Sequence, residues 1–463
     1  MLLAIQFFSI DDFFLVPVCV ILMYAILRSR AGACKDEQVR RLYFNAFYFK
    51  IICVITYTII TEFYFGGGDT SLYYQGVKDL RTALSDDANH FPVIITSAHL
   101  DDDNPLAPFF MYDNGADITY AYMRTSGNFF VPRLGLFPSL VFFNSYLCIC
   151  LCFMMFALGG AIRLFKTFYY YYPTARREIA LATLFLPSVG FWSSGLLKDT
   201  ICFGAVGFMI YGIFTIFIRK KKIIASLFWI IVSGYLLYMI KTYIFLVLLL
   251  GITIWVFAET NNLIKDKTLR QIFALMTFII AVAAGYLLLQ YFTSTETLKQ
   301  YQLDNIISSA ESQRQAYKYL YEYGSTTLQQ NYYTINASNP FLLIVNSIGA
   351  TFFRPFPWEI KSAASVLSAI EALGFLFLTI NLFMKKGLTK RFSTIFKDPR
   401  ILFCFIFAVV FAVGVGASTA NFGTLSRYKI PCMPFYMLML LLTYRNTGLA
   451  YPKWLKRVLG LIK

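Results

Sequence analysis

Apolar runs recur from one end of the chain to the other, at about 12–28, 42–63, 136–161, 178–195, 200–218, 223–240, 243–258, 271–291, 363–384, 401–417 and 430–443. Each approaches the ~20 residues that a helix needs to cross a bilayer. They are continuously apolar, whereas barrel strands are ~10-residue alternating segments. The pattern predicts an all-α polytopic membrane protein with about eleven transmembrane helices, built as a single helical domain over 1–463. Two polar stretches between the runs are long, about 66–135 and 292–362. Loops of that size are uncommon unless they bind or cover something. Inside the second, PFLLIVNSIGATFF at 340–353 is apolar but short. If it crossed, every later loop would change sides, so a surface-lying or re-entrant helix is expected there. No internal repeat is evident, which counts against an inverted-repeat transporter.

Composition agrees with the pattern: 58% of the 463 residues are hydrophobic and 14% charged. The net charge of +16 suggests a nucleic-acid partner until the charges are placed. Alternate loops, namely 29–41, KTFYYYYPTARR, RKKK at 219–222, NNLIKDKTLR, KKGLTKR with KDPR, and the C-terminal tail, hold 25 of the 41 Lys and Arg. Lys and Arg accumulate in cytoplasmic loops. The excess therefore reads as topology plus attraction to anionic lipid headgroups, with no nucleic acid involved. The expected orientation is N-terminus outside and C-terminus cytoplasmic, with both long loops external. The start, MLLAIQFFSIDDFF, has no positive n-region, so no cleaved signal peptide is expected. None of the nine cysteines falls in a large external loop, so no disulfide framework is expected. Cys148, Cys150 and Cys152 alternate along one helix and cannot all face one metal, so they read as packing residues.

Four polar clusters fall on the external side. In FGGGDTSLYY, glycines allow close approach of a ligand, and Asp69 leaves the end of the second span with Tyr73 and Tyr74 behind it. A carboxylate there suits a general base toward a hydroxyl; the plainer reading is a membrane-exit turn. In LPSVGFWSSGLLKDT, Pro187 and Gly195 interrupt a tight external hairpin that ends in Lys198 and Asp199. Freed amides beside Lys198 suit a phosphate, against an ordinary interfacial turn. In FFRPFPWEIKSAASVLSAIE, Arg354 and Glu359 form either a structural ion pair or a pyrophosphate clamp and a second acid, and Trp358 alone reads as an interfacial anchor. Glu371, a few turns into the ninth span, needs a partner inside the bundle. In STANFGTLSRYKIPCMPF, Asn421, Arg427, Tyr428 and Lys429 occupy a short loop closed by Pro431. An arginine fork matches phosphate oxygens bidentately. The only histidines are His90 and His99, the latter just before Asp101–Asp103. That spacing admits a mixed-ligand divalent cation, although a solvated acidic loop is commoner. No cofactor is called for, and no Walker, zinc or serine-elbow motif is present.

Three cations, Arg354, Arg427 and Lys198, then share a face with two acids, Asp69 and Glu359, beneath aromatic loops. A substrate that is part lipid, part pyrophosphate and part sugar would use all of these. Asp69 and Glu359 would be the catalytic pair, with Tyr73, Tyr74, Lys198, Asp199, Arg354, Trp358, Asn421, Arg427 and Lys429 as substrate contacts, since aromatic faces suit sugar rings and acids and amides suit their hydroxyls. In GGGDTSLYY, FWSSGLLKDT, RPFPWE and NFGTLSRYK the chain resembles bacterial polysaccharide polymerases of the O-antigen and exopolysaccharide type. It resembles, more loosely, the integral-membrane glycosyltransferases of GT-C architecture. The resemblance implies transfer of sugars from a polyprenyl-pyrophosphate carrier on the periplasmic face of a bacterial inner membrane. It also implies membrane lipids and other polysaccharide-assembly proteins as partners. It implies Asp69 as the first-loop base and Arg354 and Arg427 as pyrophosphate ligands. The chain departs from the GT-C plan in the extra span before that aspartate, and from ordinary O-antigen polymerases in its large acidic first loop. A flippase for lipid-linked sugars is the main rival. A membrane acyltransferase would want a histidine base at the membrane surface, and a structural envelope subunit would need no convergent charges.

Overall fold

The computed structural model describes residues 6–111, 118–261, 268, 311–319, 322, 332–335, 339–360 and 363–461. The span expected at 271–291 and most of the second long loop, including Tyr301, Tyr321 and Tyr323, lie outside the described residues. Among the described residues the protein is helical, with a lone antiparallel bridge between Tyr332 and Asn421. Seven helices among the described residues are long and apolar enough to cross a membrane.

The chain packs as two compact units, residues 1–167 with 189–242 and residues 168–188 with 243–463. In the first unit, α1 (Asp12–Gly32) and α2 (Glu37–Phe63) lead to the short helices α3 (Asp69–Asp86), α4 (His90–Thr96), α5 (Ile118–Met123) and α6 (Ser126–Val141). Helix α7 (Tyr146–Tyr171) follows, and later α10 (Lys198–Phe217) and the first arm of α11 (Ile223–Asn261). Large apolar side chains stay exposed along α1, such as Phe13, Phe14, Ile21 and Leu22. A water-facing surface rarely carries such a contiguous patch, whereas a lipid-facing one requires it. The span expected at 136–161 lies further along the chain as α7, because α6 ends at Phe142 and a turn with positive φ at Phe143 and Asn144 separates the two. The acidic first loop is itself folded. Helix α3 buries Tyr73, Tyr74, Val77 and Leu80, a helical i, i+3, i+4 stripe, largely against α6.

Helices α7 and α10 meet backbone to backbone. A Cβ built on Gly160 would stand 2.3 Å from the Gly204 carbonyl oxygen, and one on Gly207 2.2 Å from that of Gly160. Small residues let membrane helices approach in this way. Gly160→Val therefore forces the pair apart and lowers stability by about 1–3 kcal/mol, measured as a fall in melting temperature in detergent. An unchanged melting temperature would contradict this packing.

The second unit holds the second arm of α11, α8 (Arg176–Leu184), α12 (Pro340–Phe353), α13 (Ala363–Met384), α14 (Leu388–Lys397), α15 (Pro399–Ser418) and α17 (Met433–Thr447); α8, α13, α14 and α15 pack against α17, and α12 packs on α15. Helices α16 (Phe422–Tyr428) and α18 (Lys453–Val458) are short. Helix α17 is buried from Met433 to Tyr444, so its all-round apolar sequence is core. Helix α12 does form at 340–353, with Thr351 Oγ1 donating to the Ala412 carbonyl of α15 at 2.8 Å.

Three expected spans take other forms. The run 178–195 breaks into α8 and the six-residue α9 (Pro187–Trp192), since a residue before proline disfavours helix. The runs 223–240 and 243–258 form one helical element, α11, interrupted where Lys241 adopts φ −148 and ψ 79.

Candidate functional site

The glycines of the first cluster are a conformational requirement. Gly66, Gly67 and Gly68 have φ of 66, 111 and 73, a region open to glycine and costly for other residues. Gly67 N–H bonds to Thr61 O at 2.9 Å, closing α2, and Gly68 opens α3, so that Asp69 is its first residue. Thr70 is tied down by Tyr146 Oη at 2.9 Å and by Leu196 O at 3.1 Å. That second bond fixes the start of α3 to the hairpin that delivers Lys198, the first residue of α10.

Lys198 accordingly has Asp69, Asp199 and Lys241 as charged neighbours. Asp69 and Lys198 are half-buried, while Asp199 and Lys241 are buried. Lys241 donates to Asp199 Oδ1 at 2.5 Å, at the point where α11 leaves helical geometry. A Cβ on Gly127, near the start of α6, would lie 3.2 Å from Lys198 Nζ and 2.9 Å from the Ile240 carbonyl oxygen. The starts of α3, α6 and α10 and the break in α11 thus enclose one polar centre within the first unit. Neither α3 nor α10 has a side-chain cap. The first-turn N–H groups of a helix suit anions.

A cation missing from the sequence reading lies deeper. Lys50, halfway along α2 and 2% exposed, donates to Gly190 O at 3.2 Å, Ser193 O at 3.0 Å and Ser193 Oγ at 2.5 Å. It satisfies carbonyls released where α9 ends. Lys241 escaped notice because it fell between two apolar runs and passed for a turn. The available signal was an ionisable residue inside a span, which marks either a partner or a function.

Tyr73 and Tyr74 are core residues. Tyr73 is 1% exposed and donates to Asn128 Oδ1 at 3.2 Å; Tyr74 donates to the Asn144 carbonyl at 2.7 Å. Burial, with Asp12 adding to it, pushes the Tyr74 phenol up to about 12, so it stays neutral. Their ring faces are covered by protein, leaving no platform for a sugar.

The remaining candidates lie in the second unit. Arg354 pairs bidentately with Glu359, from Nε at 3.1 Å and from Nη2, and its Nη1 donates to Thr334 O at 2.9 Å. Its guanidinium also lies over the rings of Tyr333, at 4.7 Å, and Phe422. Glu359 further accepts the Phe356 N–H at 2.8 Å. Of the two alternatives for this pair, the geometry is that of the structural ion pair. Burial pushes the Tyr333 phenol up to about 12 against the opposing pull of Thr419 and Arg354. Trp358 is 78% exposed and stacks on Phe356, as an interfacial anchor would. Asn421 caps α16, accepting from Gly423 N at 2.8 Å and Thr424 N at 3.3 Å. Arg427 sits in the last turn of α16. Lys429 is buried; burial pushes its ammonium down, and the Glu371 carboxylate offsets part of that. Glu371 also accepts from Ser188 N at 3.0 Å and Ser188 Oγ at 2.5 Å, which holds the start of α9.

Glu359→Gln should lower stability by about 1.5–3 kcal/mol, the worth of a hydrogen bond to a charged group. It should leave the pH dependence of any transfer reaction unchanged. A displaced pH profile would restore Glu359 as an acid in the reaction.

His99 and Asp101 approach to 3.7 Å, both about half exposed, and Asp102 accepts from Tyr120 Oη at 2.5 Å. No group of three or more metal-type ligands forms among the described residues. Comparison with protein-family models, with curated proteins and with solved structures gave no match.

Proposed function

We propose that this protein is an integral-membrane glycosyltransferase of the polysaccharide-polymerase kind, acting on polyprenyl-pyrophosphate-linked sugars at the periplasmic face of a bacterial inner membrane. The observation that carries the reading is the polar centre of the first unit, where Asp69 and Lys198 stand at two uncapped helix starts. An acceptor hydroxyl attacks the anomeric carbon as its proton passes to Asp69. The bond from that carbon to the pyrophosphate oxygen breaks, and the electron pair leaves with the lipid pyrophosphate. Lys198 and the first-turn amides of α10 face the charge that develops there. Preorganised donors of this kind are commonly the largest single contribution to a transition state. Asp199 and Lys241 hold the centre together. The Arg354–Glu359 pair shapes the loop that carries Trp358, and membrane lipids and other polysaccharide-assembly proteins are the expected surroundings.

The flippase remains the second reading, because a broken helix and a buried lysine at membrane depth also mark transporter sites. Lys50, however, already serves four acceptors at the end of α9 and the turn into α10. The test is a transfer assay on purified protein with a polyprenyl-pyrophosphate oligosaccharide, resolved by product length. A ladder of longer glycans means a polymerase and a single addition means a one-step transferase. Tight binding of the lipid without product would overturn the reading in favour of the flippase.

A further inference from the structure

Helix α10, with 20 residues, is ~30 Å long, so its two ends lie a bilayer core apart. Lys198 is at one end. At the other, cations from three separate segments gather within the first unit: Arg30 in the last turn of α1, Arg163 and Lys166 toward the end of α7, and Lys222 in the turn between α10 and α11. They are one another's charged neighbours, Lys166 facing Arg30, Arg163 and Lys222, and Arg163 facing Arg30. The carboxylates nearest in sequence are engaged elsewhere, Asp36 as the cap of α2 and Glu37 on Arg41 at 2.7 Å.

Arg163 and Lys166 are held in place by packing, while Arg30, Lys166 and Lys222 are exposed. The Arg163 guanidinium lies 4.0 Å from the centre of the Phe208 ring and 5.6 Å from that of Trp229, and its Nη1 donates to Gly159 O at 3.1 Å. Lys166 Nζ stands 5.4 Å from the Tyr43 ring centre. Lys220 and Lys222 have φ of 51 and 49, a left-handed conformation that costs a lysine energy. Gathered like charges also repel, so the fold sustains two unfavourable terms at one place. An anion between the cations offsets the repulsion. The surroundings indicate what kind: Ile26 of α1 and Ile223 and Ile224 of α11, close in sequence to the cations, are 50%, 57% and 87% exposed. Positive charge bordered by bare apolar surface fits a headgroup phosphate with its acyl chains alongside.

We propose that Arg30, Arg163, Lys166 and Lys222 form a discrete site for the phosphate group of an acidic membrane lipid. It is more specific than the diffuse attraction of basic loops to a membrane, and it is independent of the reaction at the other end of α10. The experiment is native mass spectrometry of the delipidated, full-length protein titrated with phosphatidylglycerol, phosphatidylcholine or inorganic phosphate. Phosphatidylglycerol should bind preferentially, and Arg163→Gln with Lys166→Gln should weaken it at least about tenfold. Lys386→Gln, an exposed cation elsewhere, should not. Arg163→Lys, which keeps the charge, should recover most of the binding and guards against simple misfolding. Equal binding of phosphatidylcholine, or a double variant no weaker than Lys386→Gln, would overturn the site. Inorganic phosphate competing at similar concentration would keep the site and assign it to free phosphate.

Discussion

Asp69→Asn lowers glycosyl transfer by about 10²–10⁴-fold, the usual contribution of a positioned general base, while the protein keeps its melting temperature. The expectation follows from how the residue is held. Asp69 begins α3 directly after three glycines with positive φ, and its neighbour Thr70 is bonded to both Tyr146 and Leu196. An asparagine of the same shape leaves those restraints in place and removes the capacity to accept a proton, together with the negative charge beside Lys198. Binding of the lipid-linked donor should change little, so the loss belongs in kcat. Lys198→Gln provides the contrast, since it weakens stabilisation of the leaving pyrophosphate and should lower kcat without altering which acceptor is used. A folded Asp69→Asn protein with full activity would end the base assignment.

The largest effect on stability is expected at the other half of that centre. Lys241→Met leaves Asp199 charged and wholly buried, and breaking a buried pair from one side costs about 3–5 kcal/mol. The double variant Lys241→Met with Asp199→Leu should regain most of that loss, because apolar replacements of similar volume commonly match or exceed a buried ion pair. Thermal unfolding in detergent of the four proteins in this cycle gives the coupling directly. If the double variant is as unstable as the two single changes added together, the pair is not a coupled unit.

The helical class and the places of several long apolar helices, such as α1, α2, α10, α13 and α15, were legible in the sequence because a continuous apolar run of ~20 residues has few other uses. What the pattern hid has physical reasons. A run records hydrophobicity and not continuity, so the break at Phe185 and Leu186 and the non-helical Lys241 left no trace in it. Tyr73 and Tyr74 resembled a sugar platform because tyrosine suits both a wet interface and a packed core; only burial on the α3 face separates the two. Asn421 looked like a ligand for a related reason, since asparagine both caps helices and binds sugars. The glycine–aspartate motif was the most readable part of the site. Three consecutive glycines constrain a backbone so strongly that few structures besides a tight turn remain.

Lys50 has a consequence for how the protein is made. It leaves the ribosome 140 residues ahead of Gly190, an interval on the order of ten seconds at ~5–20 residues per second. A lysine at the centre of a membrane helix costs about 2.5–3.5 kcal/mol during insertion. Helix α2 therefore enters the membrane carrying a charge whose acceptors do not yet exist. It should be held at the edge of the insertion machinery, or tilted to let the ammonium reach water, until the α9–α10 hairpin arrives. Lys50→Leu would shorten that wait and then leave the carbonyls of Gly190 and Ser193 without their donor. The same side chain should thus slow the assembly of the bundle, and it ties α2 to the end of α9 once complete.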